Sequence, residues 1–213
     1  MIKISCSILE DVRKAPDLHA RSIATLDKPK TNGTYGMFAC WRDTVIKVHE
    51  GSLTLIEAIK ELENKFIRFD DNVKNKSKQN YLLDALPRYI SEYKKQKFEL
   101  VDSKHQMKWD IIEGVRLTGL TPWVVFNGKD YFAYLLTETE LDWKNQLRFP
   151  LFQQYLIDHH IDCELQEMNV GTYCLETRQF EFTNYSKKEI SSWVDETSKI
   201  FQTVLREYHK FKK

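Results

Sequence analysis

The chain has 213 residues, 32 Lys and Arg against 31 Asp and Glu for a formal net charge of +1, 13% aromatic residues and seven Gly. That length fits one domain, or one domain with an inserted helical lobe, and the aromatic content excludes a disordered chain. The near-balance of charge excludes a global field for nucleic acid, so any contact with DNA must come from a local patch.

No apolar run reaches the roughly 20 residues needed to span a bilayer. The N-terminal MIKISCSILEDV carries no signal-peptide apolar region, so the expectation is a soluble, intracellular protein without a membrane partner. Cys6, Cys40, Cys163 and Cys174 are far apart and form no C-x-x-C pair. Cys163 and Cys174 can face each other across a hairpin, but reduced core cysteines are commoner in a cytosolic chain and are expected here.

In chain order, Ser7 with Glu10 has capping-box spacing and opens a short helix with Ile8, Leu9 and Val12 as its apolar positions. Residues 24–35, ATLDKPKTNGTY, read as an exposed loop. Gly36 to His49 is apolar and then alternating, and periodicity leaves helix and strand both open. His49, followed by Glu50-Gly51, reads as a helix-end histidine; it is the one weak candidate for a metal ligand, because a lone imidazole without carboxylate partners holds an ion poorly. His19, His105, His159, His160 and His209 show no ligand spacing. Thr54 with Glu57 is a second capping box, opening a helix with Leu55, Ile59, Leu62 and Phe66 as its buried stripe, which ends near Arg68. Asp70 to Gln79 reads as a polar connector, followed by a helix from Asn80 to Tyr93 in which Pro87 predicts a kink or a late start. The nearby Arg88, Lys94, Lys95 and Lys97 read as solvated surface.

Phe98 to Val101 and Gln106 to Ile112 alternate as two strands, with Glu113-Gly114 as a turn. Between them Asp102-Ser103-Lys104 spells D-x-K in a turn without a nearby acidic partner, and is read as accidental. Val115 to Phe126 is strand-like, Asn127-Gly128 predicts a type I′ hairpin, and Tyr131 to Thr137 returns as a strand. A helix is expected from Asp142, with Trp143, Leu147, Leu151 and Tyr155 on one face, ending at His159-His160. Cys163 to Val170 and Thr172 to Phe182 predict a hairpin around Asn169 to Gly171, with Glu176 to Gln179 facing solvent. Ser186 with Glu189 is a third capping box, opening a helix to Tyr208.

Gly119-Leu120-Thr121-Pro122 on the first strand, Thr137-Glu138-Thr139 ending the second, and Arg148-x-x-x-Phe152 on the helix stand where three motifs stand in one nuclease superfamily. The segment resembles the active-site frame of RecB-like nucleases of the PD-(D/E)XK superfamily, which read G-x-x-D, D/E-x-K and Q-x-x-x-Y at those places. The resemblance implies an α/β fold with a restriction-endonuclease-like core: a mixed central β-sheet flanked by helices, with an N-terminal helical insert. It implies one domain over 1–213, mainly helical over 1–95, with the sheet core at 96–185 and a last helix at 186–213. Some CRISPR-associated RecB-like exonucleases bind an iron-sulfur cluster through one early and three clustered late cysteines; the late cluster is missing, so no such cluster is expected.

In that superfamily acidic side chains hold a hard divalent cation, and metal and lysine together activate water. Pro122, Thr137 and Thr139 supply neither acid nor amine. The resemblance therefore implies a catalytically inactive homologue without a cofactor, binding DNA or serving as a scaffold in a DNA-processing or defence-related complex, in the cytoplasm of a bacterium or a virus-infected cell. Trp41, Lys144, Arg148 and Tyr155 are the residues expected to meet phosphates or stack on bases, although Tyr155 also fits the buried helix face. Two alternatives stay open. Glu138-x-Glu140 can act as a shifted E-x-E motif of an active Mg- or Mn-dependent DNA exonuclease, though without an acidic partner across the hairpin. The chain can also be an interaction or assembly accessory protein of a virus or mobile element.

Overall fold

The computed structural model describes residues 1–25, 36–103 and 105–212. The order of elements is β1 (Ile2–Ser5), α1 (Leu9–Lys14), α2 (Pro16–Ala24), α3 (Met37–His49), α4 (Leu55–Phe66), α5 (Val73–Lys95), β2 (Glu99–Asp102), β3 (Gln106–Ile112), β4 (Val115–Leu120), β5 (Trp123–Phe126), β6 (Tyr131–Thr137), α6 (Arg148–His159), β7 (Met168–Cys174), β8 (Gln179–Thr183) and α7 (Lys187–Phe211). This is an α/β protein of mixed sheets flanked by helices.

The strands form a three-stranded sheet in the order β1-β4-β3 and a five-stranded sheet in the order β2-β5-β6-β7-β8. β1 runs parallel to β4 and β6 parallel to β7; the other neighbours are antiparallel. One expected strand, Val115 to Phe126, is therefore two, and it crosses from one sheet to the other at Thr121-Pro122. Proline has no amide hydrogen to give to a ladder, so pairing stops there. Thr121 bonds His105 instead: its amide donates to the His105 carbonyl at 2.9 Å, and its hydroxyl accepts the His105 amide at 2.9 Å.

Period-two alternation sorts the larger sheet. Trp123, Val125, Tyr134, Leu136 and Tyr173 pack against α3, α4 and α5, whereas Val124, Ala133 and Val170 pack against α6. α6 lies between the layers. Phe149 and Leu156 join the larger sheet, and Leu147, Leu151, Phe152 and Tyr155 join β1, β3, β4 and the Phe201–Val204 face of α7. Each fully buried side chain of that stripe contributes roughly 2 kcal/mol.

The Thr54–Glu57 and Ser186–Glu189 capping boxes form. The Ser7–Glu10 box does not. Ser5 caps a 3-10 turn at Cys6–Ile8, and Glu10 reaches across the fold to accept the Leu147 amide at 2.6 Å. Its neighbour Arg13 donates to Glu196 at 2.7 Å and to the Asn145 carbonyl at 2.9 Å. A cap delivered from a distant helix sets the start of α6, which is why the helix expected at Asp142 begins at Arg148. Trp143 is buried ahead of it, its indole donating to Glu181 at 3.3 Å.

Other expectations change in the same way. Gly36 to His49 resolves as helix α3. The supposed connector at 70–79 supplies the start of α5, whose N-cap Asn72 accepts the Asn75 amide at 2.9 Å; α5 thus starts early, with Pro87 inside it. The Asn127 side chain accepts amides from Lys129 and Asp130 at 3.0 and 2.9 Å, and of the two expected turn centres only Gly128 has positive φ, so an Asx turn replaces the type I′ turn. β7 runs straight through Asn169 to Gly171, and the chain reverses after Leu175, with Arg178 at φ 59°. β1 and α2 carried no strong sequence signal. Ala24 ends α2, and the rest of the expected loop, from residue 26 to 35, lies outside the described residues. All four cysteines are free, with Cys6, Cys40 and Cys174 buried. No helix among the described residues is long and apolar enough to cross a membrane.

Gly171 is in β7 because of close approach: a Cβ there would lie 1.8 Å from the Glu181 carbonyl oxygen of β8. Gly171→Ala is expected to cost at least about 2 kcal/mol of stability in urea unfolding. An unchanged midpoint would show that β7 and β8 do not approach as described.

Candidate functional site

Where the two sheets part, a cleft of about 370 Å³ opens. Pro122 and Thr121 lie at the break, Ser5 and Ser7 come from the end of β1, Gln106 from β3 and Arg42 from α3, while Leu120, Leu136 and Phe152 supply apolar wall. No carboxylate lines it among the described residues.

Arg42 sits 5.2 Å over the Phe38 ring. Burial pulls its pKa down and the Glu138 carboxylate opposes that. Glu138 itself is bound to Lys78 at 2.8 Å. Burial pushes the Cys6 thiol up to about 12, against the pull of Arg148, so Cys6 stays protonated and is no nucleophile. Arg148 is half-buried with its guanidinium 5.2 Å over Phe149, and its buried Nε has no hydrogen-bond partner among the described residues.

The structure separates the residues that sequence reasoning grouped. Pro122 is in the cleft, but Thr137 turns its hydroxyl to the Tyr173 carbonyl at 3.5 Å and Thr139 is exposed beyond the strand; neither lines the cleft. Glu138 is engaged by Lys78, and the Glu140 amide donates to the Glu176 carboxylate at 3.3 Å. Neither belongs to a trio of His, Cys or carboxylate groups close enough to share an ion among the described residues. The hairpin mouth, with its hydroxyls, amide and guanidinium, does not fit magnesium or manganese, which need oxygen anions. Trp41 is 0% exposed, edge-on to Tyr89 inside the helical lobe, and Tyr155 is 5% exposed, its hydroxyl accepting the Lys108 amide at 3.3 Å. Both rings are core, which corrects their expected stacking on bases. Lys144 is exposed beside Glu181, 3.8 Å away, and outside the cleft lining.

Metal ligation by His49 is also corrected. Its Nε2 is 2.8 Å from the Tyr89 hydroxyl, which is 2.6 Å from the Tyr134 hydroxyl, and its ring packs 3.9 Å from Tyr93. Burial pushes its pKa down to about 3, so it is a neutral link in a buried chain of hydrogen bonds. The fold instead gathers Asp102, His105 and His160, whose ligand atoms all lie within 4.8 Å of one another. Sequence reading weighed Asp102 only within the D-x-K triplet, set aside for its place in a turn without an acidic partner, and found no ligand spacing for His105 or His160; Lys104 lies outside the described residues.

Above its ordinary value of 6.5, His49 is neutral in both folded and unfolded chains. Below it the unfolded chain takes up a proton that the folded chain refuses until pH falls towards 3, so stability is lost across that window. The slope is about 1.4 kcal/mol per pH unit. His49→Gln should lack this contribution to the acid limb; urea midpoints that fall in parallel for both proteins between pH 6 and 4 would contradict it.

Compared with protein-family models the chain matches none, and no curated protein matches it.

Proposed function

We propose that the chain is a non-hydrolytic homologue of RecB-like PD-(D/E)XK nucleases that binds single-stranded DNA in the cleft at the sheet switch, within a DNA-processing or defence-related complex. The observation that carries this reading is the cleft lining. It opens beside the β5–β6 hairpin, which is followed by α6 and parallel β7, the order of elements such nucleases use, yet its polar groups are hydroxyls, an amide, a thiol, an indole and the Arg42 guanidinium, with no carboxylate among the described residues. A lining of cation and hydroxyls suits a phosphodiester and gives no grip to a hard metal ion.

Arg42 is the group able to pair with phosphate, because it is the one Lys or Arg lining the cleft among the described residues. Ser5 and Ser7 bond each other at 2.9 Å, and the hydroxyl that accepts in that bond keeps its own proton for a further phosphate oxygen. Leu120, 53% exposed, and Phe152 offer apolar surface to a base or sugar. Among the described residues no carboxylate lines the cleft to activate water, so bound DNA is held and not cut.

A gel shift with a single-stranded oligonucleotide at rising salt tests this. Binding should weaken with ionic strength, and Arg42→Ala should lower affinity and reduce the log–log salt slope by about one. Added Mg²⁺ or Mn²⁺ should produce no cleavage. Absence of binding at low salt would favour a protein partner, and cleavage abolished by Glu138→Ala would establish the shifted active site instead.

A further inference from the structure

Beside the cleft, three ligand-bearing side chains converge, two from the β2–β3 connection and one from the distant end of α6. Asp102 ends β2, His105 precedes β3, and His160 is the C-cap of α6. We propose that Asp102, His105 and His160 form a binding site for a divalent first-row transition ion of the zinc type.

Each member is placed by a specific local feature. The pairing of β2 with β5 shifts register between Leu100 and Asp102, a bulge at Val101 that re-aims the carboxylate. Its side chain is only 18% exposed and bonds the His105 Nε2. The His105 backbone is clamped on both sides by Thr121, so its ring has a fixed base. The His160 amide donates to the Leu156 carbonyl at 2.8 Å, closing α6, and its ring stacks on His105 at 4.6 Å with 22° between planes. Tyr155 supports His160 from behind at 5.5 Å.

The chemistry of the set selects the ion. Two imidazoles and one carboxylate suit zinc, and also iron, cobalt or nickel, whereas magnesium and calcium prefer oxygen alone. Three protein ligands leave a coordination position for water or a partner's ligand. A surface ion pair of Asp102 with His105 needs no third group; His160 lies within ligand distance of both. The site does not depend on whether the cleft binds DNA.

The test is titration of the metal-free full chain with Zn²⁺ in competition with a chromogenic chelator, repeated with Co²⁺ and read by visible absorption. The wild type should bind a single equivalent, with a Co²⁺ spectrum free of thiolate charge transfer. His105→Ala, His160→Ala and Asp102→Asn should each weaken binding at least about tenfold. His159→Ala should not, because His159 Nδ1 is 3.0 Å from the Tyr155 carbonyl and lies outside the trio. Zn²⁺ should raise the thermal midpoint of the wild type and not that of His160→Ala, a readout that also shows the variant is folded. No binding by the wild type, or affinity unchanged in both histidine variants, overturns the proposal. So does a loss that follows Cys163→Ser instead.

Discussion

A missing amide hydrogen at Pro122 shapes this molecule more than any single contact. A strand run that enters the small sheet as β4 cannot keep donating at this position, and it leaves as β5 of the larger sheet. The sheets diverge from that point. The cleft opens in the gap, α6 fills the space behind it, and Thr121, freed from strand pairing, closes on His105. The break at Pro122 thus marks the cleft, and Thr121 beside it anchors His105 of the Asp102–His105–His160 cluster.

Long-range polar contacts hold the parts in register around this break. Glu10 caps α6 from α1, and Arg13 ties the same corner to α7 through Glu196. On the opposite side His49, Tyr89 and Tyr134 link α3, α5 and β6 through the core. Of these only the Tyr89–Tyr134 bond is fully buried, and such a bond contributes about 1 kcal/mol net while breaking it leaves a partner unsatisfied at greater cost. The charge pattern at the cleft follows: carboxylates near the hairpin are spent on Lys78 and on backbone amides, and Arg42 is left facing the opening.

The elements that could be read from the sequence are those whose signals are local. Capping boxes at Thr54 and Ser186, the alternation in β2, β3 and β6, and the Leu147–Leu151–Tyr155 stripe all appear in the fold because neighbours a few residues apart determine them. What failed depended on distant partners. Glu10 left its local cap for α6, Gly171 served close strand approach in place of a turn, and Trp41 was drawn into the helical lobe. The trio of possible metal ligands was invisible for the same reason, since only β-sheet pairing and the end of α6 bring His160 to Asp102. The nuclease-like motif positions drew attention to Pro122, yet Thr137 and Thr139 turned out to lie away from the opening.

Hydrogen–deuterium exchange of the chain with and without a short single-stranded oligonucleotide tests the central claim most directly. Protection should concentrate on peptides spanning residues 5–7, 38–45, 106–107 and 119–123, the segments that meet at the Pro122 break, and should disappear at high salt. Protection confined to other surfaces, or none under conditions where the oligonucleotide is bound, would contradict the assignment of the cleft as the nucleic-acid site.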